Sequence, residues 1–335
     1  MTLAVLQFVF LASIIVAAGT ALAKCADAIA DHTGLGKLVV GSVLLAGATS
    51  LPELTIDISA VRLGAPDLAV GDLFGSSLMN LLILAVLDLS RHSRGRMLSR
   101  PAAAHALSGL LSIGLTAVAA VGMLTAKRSP EWLFLGVHLS IWVIAIGYVL
   151  GVRMVFLDQR IARQVSVESG GAEAVAAGQL SLRWAVAGFV AATAAILLTG
   201  PYLAATAEHI AQLSGLGNTF VGTTFVAVST SLPELVASLA AVRMGAFDLA
   251  VGNIFGSNAF NMILLVPLDL VSPGSLLANV GQVHVITALA AITATTVVIM
   301  GQLYQVESRR HFLEPDAWLV IALIVTALTI VYFAG

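Results

Sequence analysis

Two glutamates in this chain stand in identical local sequences. The hexapeptide TSLPEL occurs at residues 49–54 and again at residues 230–235, and in both copies a proline directly precedes the glutamate. Carboxylate and hydroxyl oxygens are hard ligands, which suit Ca²⁺ or Na⁺ better than a soft metal ion. The two segments are therefore the two parts of a candidate cation site. Its candidate ligands in these segments are Thr49, Ser50, Glu53, Thr230, Ser231 and Glu234.

The prolines before the two glutamates are expected to interrupt their helices. A proline inside a helix has no amide hydrogen to donate, and its ring clashes with the carbonyl group four residues back. We expect a kink or break between Ala46 and Thr49, before Pro52, and a corresponding one before Pro233. Carbonyl groups freed in this way at membrane depth need a new partner, and water or a cation is suited to that role.

A serine and an asparagine recur four residues apart, downstream of each glutamate. They are Ser76 with Asn80, and Ser257 with Asn261. Residues four apart lie on one face of a helix, and we expect that face to point at the glutamates. An interhelical hydrogen bond is the alternative role for these side chains, and cation binding is the role we favour. Glycines with the same spacing favour close packing of helices; they are Gly71, Gly75, Gly252 and Gly256.

Both motifs belong to a long internal repeat. A shift of 181 residues superimposes residues 41–89 on residues 222–270 without a gap, and about half of the positions are identical. Such self-similarity at a fixed offset indicates a duplicated structural unit. The polar motifs repeat best, whereas a duplication that served stability alone needs only its apolar pattern to persist. The repeat therefore indicates a polar function that the two halves share.

The composition predicts an all-α polytopic membrane protein. Of the 335 residues, 59% are hydrophobic and 10% are charged, whereas charged residues make up about 25% of a typical soluble domain. One bilayer crossing needs about 20 apolar residues, and segments of this kind follow one another along the whole chain. The ten predicted spans are 3–23, 37–62, 67–89, 102–124, 131–156, 183–205, 218–243, 248–271, 276–301 and 315–334.

Composition also narrows the possible partners. The net charge is -2 and no long basic run is present, so nucleic acid is not an expected partner. Cys25 is the one cysteine, which excludes an intrachain disulfide. The apolar N-terminus ends in Ala21, Leu22 and Ala23, as a signal peptide does before its cleavage site. No Lys or Arg precedes it, and we favour a first membrane helix.

The distribution of basic residues predicts the orientation. Lys and Arg concentrate in cytoplasmic connections, and their distribution places both termini outside the cytoplasm and residues 158–182 in a cytoplasmic linker. Each half, residues 1–157 and residues 183–335, then contains five spans, with the repeated segments at about 35–90 and 216–271. The basic residues assigned to the cytoplasm are Lys24, Lys37, Arg91, Arg94, Arg96, Arg100, Arg153, Arg160, Arg163, Arg183, Arg243, Arg309 and Arg310.

An odd number of spans forces the second half to enter the membrane the opposite way round. The predicted architecture is therefore ten transmembrane helices arranged as two inverted five-helix repeats. This arrangement allows a central site to be exposed to alternate sides of the membrane. The expected location is the cell (plasma or inner) membrane.

With the paired TSLPE motifs and the following GS and Asn positions, the chain resembles the sodium/calcium exchanger family of the cation/calcium antiporter superfamily. The resemblance covers both repeats. It implies secondary active exchange of Ca²⁺ for Na⁺ by alternating access, with no enzymatic activity and no resident cofactor. It also implies that the carbonyl groups of Ala46 and Ala227 join the side-chain ligands in a diamond of cation sites.

The chain departs from the family pattern at two positions. Family members commonly carry an aspartate where this chain has Asn80 or Asn261, so only two central carboxylates remain. Two carboxylates neutralise one Ca²⁺ or two monovalent ions, and a third Na⁺ would leave an uncompensated buried charge. We therefore hypothesise exchange of two monovalent ions per Ca²⁺, close to electroneutral. Asp57 and Asp72 are candidates for the missing charge, and the sequence leaves their role open.

Two alternatives remain at this point. Protons could replace Na⁺, because a buried glutamate pair can titrate as readily as it can bind Na⁺. An intramembrane hydrolase would need paired aspartates, a Ser–His pair or an HExxH motif on facing helices, and none is present.

The expected partners are Ca²⁺, Na⁺ or H⁺, and lipid, and the oligomeric state stays open. The seven histidines are assigned no role, and Asp67 and Asp248 are assigned to helix N-termini.

Overall fold

The structure is a computed structural model that describes residues 1–90, 102–129, 131–168, 180–215, 220–303 and 315–334. These residues form helices and one two-stranded hairpin. The elements are α1 (Thr2–Thr33), α2 (Lys37–Val39), a π-helical segment (Val40–Leu45), α3 (Ala46–Arg62), α4 (Pro66–Ser90), α5 (Ala102–Ala126), β1 (Leu133–Phe134), β2 (Val137–His138), α6 (Leu139–Glu168), α7 (Leu182–Leu213), α8 (Phe220–Thr230), α9 (Leu232–Arg243), α10 (Phe247–Ile263), α11 (Leu265–Val271), a 3₁₀ turn (Leu276–Ala278), α12 (Val283–Leu303) and α13 (Pro315–Ala334).

The described helices are those of a multi-pass membrane protein. Eight helical segments within the described ranges are long and apolar enough to cross a bilayer. A ninth apolar stretch, Ala317–Val331, is shorter. The predicted span at 218–243 is divided into α8 and α9, of 11 and 12 residues, and neither is long enough to cross alone.

Element boundaries differ from the predicted spans where glycine turns intervene. α1 continues ten residues beyond the predicted 3–23 and ends at Gly34, which adopts a left-handed φ of 67° as glycine does at helix ends. The predicted span 131–156 begins instead with the hairpin, which turns at Leu135 and Gly136, both at positive φ. α6 therefore starts at Leu139 and runs to Glu168, into the predicted linker.

Other predictions fall partly outside the described residues. The linker residues 169–179 lie there, as do the basic connections at 91–100 and 309–310. The predicted span 276–301 begins with the 3₁₀ turn, and its long helix, α12, starts only at Val283.

The helices that carry the repeated motifs occupy the interior. Within the most apolar stretches, 72% of residues in Pro66–Leu89 and 67% in Phe247–Val271 are buried, against 17% in Thr2–Thr33. α1 packs along α7 and exposes large apolar side chains such as Leu3 and Phe10. In a bilayer such side chains face lipid, so α1 lies at the periphery while α4 and α10 are surrounded by protein.

A buried aspartate holds the hairpin to the segment after α11. Asp269 is 1% exposed, and its Oδ2 accepts the amide hydrogen of His138 at 2.6 Å while Oδ1 accepts that of Leu276 at 2.5 Å. Backbone amides buried away from water need such acceptors. This carboxyl group therefore has a structural role.

Two histidine–aspartate pairs join the two halves of the sequence. His105 Nε2 of α5 lies 3.1 Å from Asp248 Oδ1 at the start of α10, and His284 Nε2 of α12 lies 3.0 Å from Asp67 Oδ1 at the start of α4. The two aspartates are equivalent in the repeat. Both were expected to stabilise helix N-termini, and the histidines had no expected role. Both aspartates lie in the first turn of their helices, as expected, and each also binds a histidine of the opposite half.

Candidate cation site

Glu53 and Glu234 are both buried and have polar neighbours. Glu53 is 1% exposed and accepts a hydrogen bond from the hydroxyl of Ser76 on α4. Glu234 is 0% exposed, and its Oε1 accepts a hydrogen bond from Ser50 Oγ at 3.4 Å. Ser50 belongs to the first hexapeptide, one helical turn before Glu53, and Glu234 belongs to the second. This contact therefore joins the two hexapeptides. Both carboxyl groups are enclosed by protein, and neither faces lipid.

Asn261 of α10 brings the second half of the chain to Glu53. With its amide oriented so that oxygen and nitrogen are both paired, Nδ2 donates to Glu53 Oε2 at 3.3 Å and to the carbonyl oxygen of Ser257 at 3.2 Å. Ser76 of α4 donates to the other oxygen of the same carboxyl group. Glu53 is thus oriented by polar side chains from both repeats.

Asn80 binds a residue that was not among the predicted ligands. Its Nδ2 donates to Asn258 Oδ1 at 3.0 Å, and Asn258 Nδ2 donates to the carbonyl oxygen of Ser77 at 3.2 Å. Asn258 is the position at which GSN of the second repeat replaces GSS of the first. That difference was visible in the sequence, but its effect depends on α4 and α10 crossing at this point. For Asn80 the structure shows the interhelical hydrogen bond that was the alternative role.

The contacts between α4 and α10 also give their relative direction. Asn258 lies beside Ser77 and Asn80, and Asn261, further along α10, lies 3.4 Å from the carbonyl oxygen of Leu73, further back along α4. Later residues of one helix therefore meet earlier residues of the other. α4 and α10 run antiparallel through the site.

The threonines and alanines of the two repeats make matching contacts. Thr49 Oγ1 donates to the carbonyl oxygen of Ala46 at 3.2 Å, and Thr230 Oγ1 donates to that of Ala227 at 2.9 Å. Each predicted carbonyl ligand thus lies directly against a predicted hydroxyl ligand. In this arrangement both carbonyls are satisfied by protein, and a cation would share them with the hydroxyl groups.

The expected helix interruption is present in the second repeat and absent at the predicted position in the first. Before α3 the chain forms the π-helical segment Val40–Leu45, and α3 is then α-helical from Ala46 through Pro52. In the second repeat the interruption falls at Ser231, between α8 and α9. The kink predicted between Ala46 and Thr49 is therefore not observed, and the π-helical segment lies before that position. The π-helical segment contains Gly41, where a Cβ atom would lie 2.5 Å from the carbonyl oxygen of Leu249.

Close packing at the repeated glycines is asymmetric. A Cβ atom added to Gly252 would lie 2.6 Å from the carbonyl oxygen of Leu38, and one added to Gly256 would overlap the backbone of Ser42. A Cβ atom at Gly75, the partner of Gly256 in the repeat, would meet nothing within 4 Å. The expectation of tight packing holds for the second repeat and not for Gly75, which faces open space.

Several predicted ligand oxygens are buried without a hydrogen-bond partner. Polar groups buried in this way are normally paired, and a cation coordinated by oxygen supplies such a partner. Within the described ranges no three His, Cys, Asp or Glu side chains converge at metal-binding distance. A cation here would thus depend on hydroxyl and amide oxygens beside the two carboxylates. The unpaired ligand atoms are Glu234 Oε2, Ser231 Oγ, Ser257 Oγ and Asn80 Oδ1.

Comparisons with known proteins cover both halves of the chain. The sequence profile of the family described as "Sodium/calcium exchanger protein" matches residues 3–155 and 184–334. Inner membrane protein YrbG of Escherichia coli (strain K12) is 29% identical over 252 residues, 72% of each chain. The putative antiporter CaxA of Alkalimonas amylolytica is 28% identical over 257 residues, 74% of this chain and 75% of that one.

Two further similarities are more limited in extent or in identity. The sodium/calcium exchanger MaX1 of Methanosarcina acetivorans is 42% identical over 80 residues, 24% of this chain and 23% of its own. Among solved structures, the sodium-calcium exchanger NCX_Mj superimposes with a TM-score of 0.72 over 98% of both chains at 19% identity. The similarity to NCX_Mj shows that the two chains share a fold. Because the family profile matches most of both repeats, the chain belongs to the sodium/calcium exchanger protein family.

Proposed function

We propose that the protein is a secondary active antiporter that exchanges Ca²⁺ for Na⁺ by alternating access, with Glu53 and Glu234 as the central cation ligands. The observation that carries this proposal is the burial of two equivalent carboxyl groups without a cationic partner. No basic side chain forms an ion pair with either glutamate in the part of the chain that the structure describes. When both glutamates are ionised, their charge therefore needs a bound cation.

The energetic cost of two buried carboxylates favours the binding of a cation between them. A carboxylate near the bilayer centre costs about 2.5–3.5 kcal/mol on insertion scales, and two adjacent ones also repel each other. One Ca²⁺ or two monovalent ions neutralise the pair. Because either cargo satisfies the same two groups, the ions compete for the site, and competition of this kind couples their movement in opposite directions. The remaining proposed ligands are Thr49, Ser50, Ser76, Asn80, Thr230, Ser231, Ser257, Asn261 and the carbonyl groups of Ala46 and Ala227.

We infer ten crossings in two inverted halves, residues 1–157 and residues 183–335, with both termini outside the cytoplasm. In this arrangement α8 and α9 form one crossing that is interrupted at Ser231, and α13 forms the last. The antiparallel course of α4 and α10 supports it, as do the matching threonine contacts of the two repeats. Rocking of such halves about the site would expose it to one side at a time.

The coupling ion is tested with purified protein in lipid vesicles. Vesicles loaded with Na⁺ and diluted into Na⁺-free buffer should accumulate radiolabelled Ca²⁺, because Na⁺ leaving down its gradient drives Ca²⁺ inward. Vesicles loaded with K⁺, or given a pH gradient without Na⁺, should not. Uptake driven by the pH gradient alone would favour the proton-coupled alternative. Failure of every gradient to drive uptake would reject antiport of Ca²⁺.

The charge of the central site predicts nearly electroneutral exchange. With Asn80 and Asn261 uncharged, Glu53 and Glu234 balance two Na⁺ or one Ca²⁺, so one turnover moves equal charge in each direction. Clamping the membrane potential with K⁺ and valinomycin at different values should therefore leave the rate of Na⁺-dependent Ca²⁺ uptake nearly constant. A clear Na⁺-dependent current during exchange would contradict the two-for-one stoichiometry.

A further inference from the structure

Two aspartates lie one helical turn from the central site, on the two helices that hold Glu53. Asp57 follows Glu53 by four residues on α3, and Asp72 precedes Ser76 by four residues on α4. The short turn at residues 63–65 makes these helices antiparallel neighbours, and the contact between Ser76 and Glu53 fixes their register. One turn away from that contact, Asp57 and Asp72 therefore come opposite each other. A pair of aspartates thus does lie on facing helices, contrary to the expectation from the sequence.

The second repeat shows the same register directly. The residues equivalent to Asp57 and Asp72 are Ser238 and Asn253. Asn253 Nδ2 donates to Ser238 Oγ at 3.0 Å, and both side chains are 0% exposed. The first repeat thus places two carboxyl groups where the second has a neutral, hydrogen-bonded pair.

Each of the two aspartates has one buried carboxyl oxygen without a partner among the described residues. Asp57 is 1% exposed, and the Oδ2 atoms of both Asp57 and Asp72 are buried without a hydrogen-bond partner. Neither carboxyl group has an ion pair with a basic side chain among the residues described. A buried carboxyl pair in this condition either holds protons or, when ionised, needs a positive charge beside it.

The face of α4 that carries Asp72 also carries a glycine without close neighbours among the described residues. Gly75 follows Asp72 by three residues, so the two share a helix face. A Cβ atom at Gly75 would meet nothing within 4 Å, whereas one at the equivalent Gly256 would overlap the backbone of Ser42. The acidic pair and the glycine without close neighbours thus occur together in the first repeat, and the neutral pair and tight packing occur together in the second.

We propose that Asp57 and Asp72 form a second cation site, one helical turn from the central one, which binds a hard, oxygen-coordinated cation, Ca²⁺ or Na⁺. The proposal rests on the proposed function for the identity of the ion. The site lies toward the end of α3 that leads to Arg62, so it stands between the central carboxylates and one side of the membrane. An ion bound by Asp57 and Asp72 would pass from there to Glu53 and Glu234. The number of charges exchanged at the central site stays the same.

The test exploits the repeat. The double variant D57S/D72N gives the first repeat the residues that already pack against each other in the second, so it is expected to fold. Binding of radiolabelled Ca²⁺ without Na⁺, and of radiolabelled Na⁺ without Ca²⁺, is measured at equilibrium with the purified full-length chain. We expect the variant to bind about one cation per chain fewer than the unsubstituted protein in one of the two arms. The arm that shows the loss identifies the ion.

A second pair of variants separates the two sites. E53Q/E234Q should retain the binding that belongs to Asp57 and Asp72, and addition of D57S/D72N should remove it. If D57S/D72N does not stay monodisperse, D57N/D72N, which keeps the side-chain volumes, replaces it. Equal Ca²⁺ and Na⁺ binding by the aspartate variant and the unsubstituted protein would overturn the proposal, since the pair would then hold protons.

Failure of this proposal is distinguishable from failure of the proposed function. Vesicles that show no exchange, together with a cation lost in D57S/D72N, would reject the exchange function and support the second site. Normal exchange together with unchanged binding in D57S/D72N would reject the second site alone.

Discussion

Glu53→Gln and Glu234→Gln should each abolish Na⁺-dependent Ca²⁺ uptake in proteoliposomes. Glutamine keeps the size of the side chain and removes one of the two charges, so Ca²⁺ in the site would keep an uncompensated charge. Loss of one partner of a buried charge pair costs about 3–5 kcal/mol, and each 1.4 kcal/mol is about tenfold in affinity. We therefore expect Ca²⁺ affinity at the central site to fall by about 100-fold or more.

Glu208→Gln is the matched control for these two variants. Glu208 lies on α7, is exposed, and its Oε1 accepts a hydrogen bond from Gln212, so its replacement should leave uptake near that of the unsubstituted protein. Retained exchange in both Glu53→Gln and Glu234→Gln would reject the site assignment. Loss of exchange in the Glu208 variant as well would show that the assay reports protein integrity and not the site.

Gly256→Ala should destabilise the protein, whereas Gly75→Ala should not. A methyl group at Gly256 would overlap the backbone of Ser42, while one at Gly75 meets nothing within 4 Å. Forcing an extra group into a packed interior costs about 1–3 kcal/mol, and backbone atoms cannot turn aside as a side chain does. At Gly75 the higher helix propensity of alanine should add about 0.5–1 kcal/mol of stability.

Thermal unfolding of the two purified variants in the same detergent measures this difference. The midpoint for Gly256→Ala should lie below that of the unsubstituted protein, and the midpoint for Gly75→Ala should equal or exceed it. Because the two positions are equivalent in the repeat, the pair controls for the general effect of alanine in these helices. Equal midpoints for both variants would mean that the tight crossing at Ser42 does not exist in the folded protein.

The family and the buried glutamate pair could be predicted because their signals are local. TSLPEL is read from six consecutive residues, and the repeat shows that Glu53 and Glu234 are equivalent without any knowledge of helix packing. Composition likewise indicates crossings of the bilayer because apolar length is a property of one segment at a time. The ligand roles of individual side chains stay predictions. The burial of these side chains and their unpaired oxygens support those roles.

The features that the sequence could not predict arise where two distant segments meet. Asn258 differs visibly from Ser77, but its hydrogen bond to Asn80 depends on how α4 crosses α10. The same proline motif lies inside a continuous helix in the first repeat and beside a helix interruption at Ser231 in the second. The residues packed around each copy of the motif differ, and the sequence of the motif alone does not show that packing.

The two histidine–aspartate pairs have a consequence for movement. Each ties the beginning of one buried helix to the opposite half of the molecule, and the antiparallel course of α4 and α10 sets the two ties at opposite ends of the protein. In the proposed rocking movement, a tilt that separates one histidine from its aspartate would leave the other pair in contact. Both pairs join a histidine to an aspartate, but Asp67 Oδ1 also accepts the amide hydrogen of Gly281 at 2.6 Å, so the two proposed forms differ in what each must break before an ion can pass.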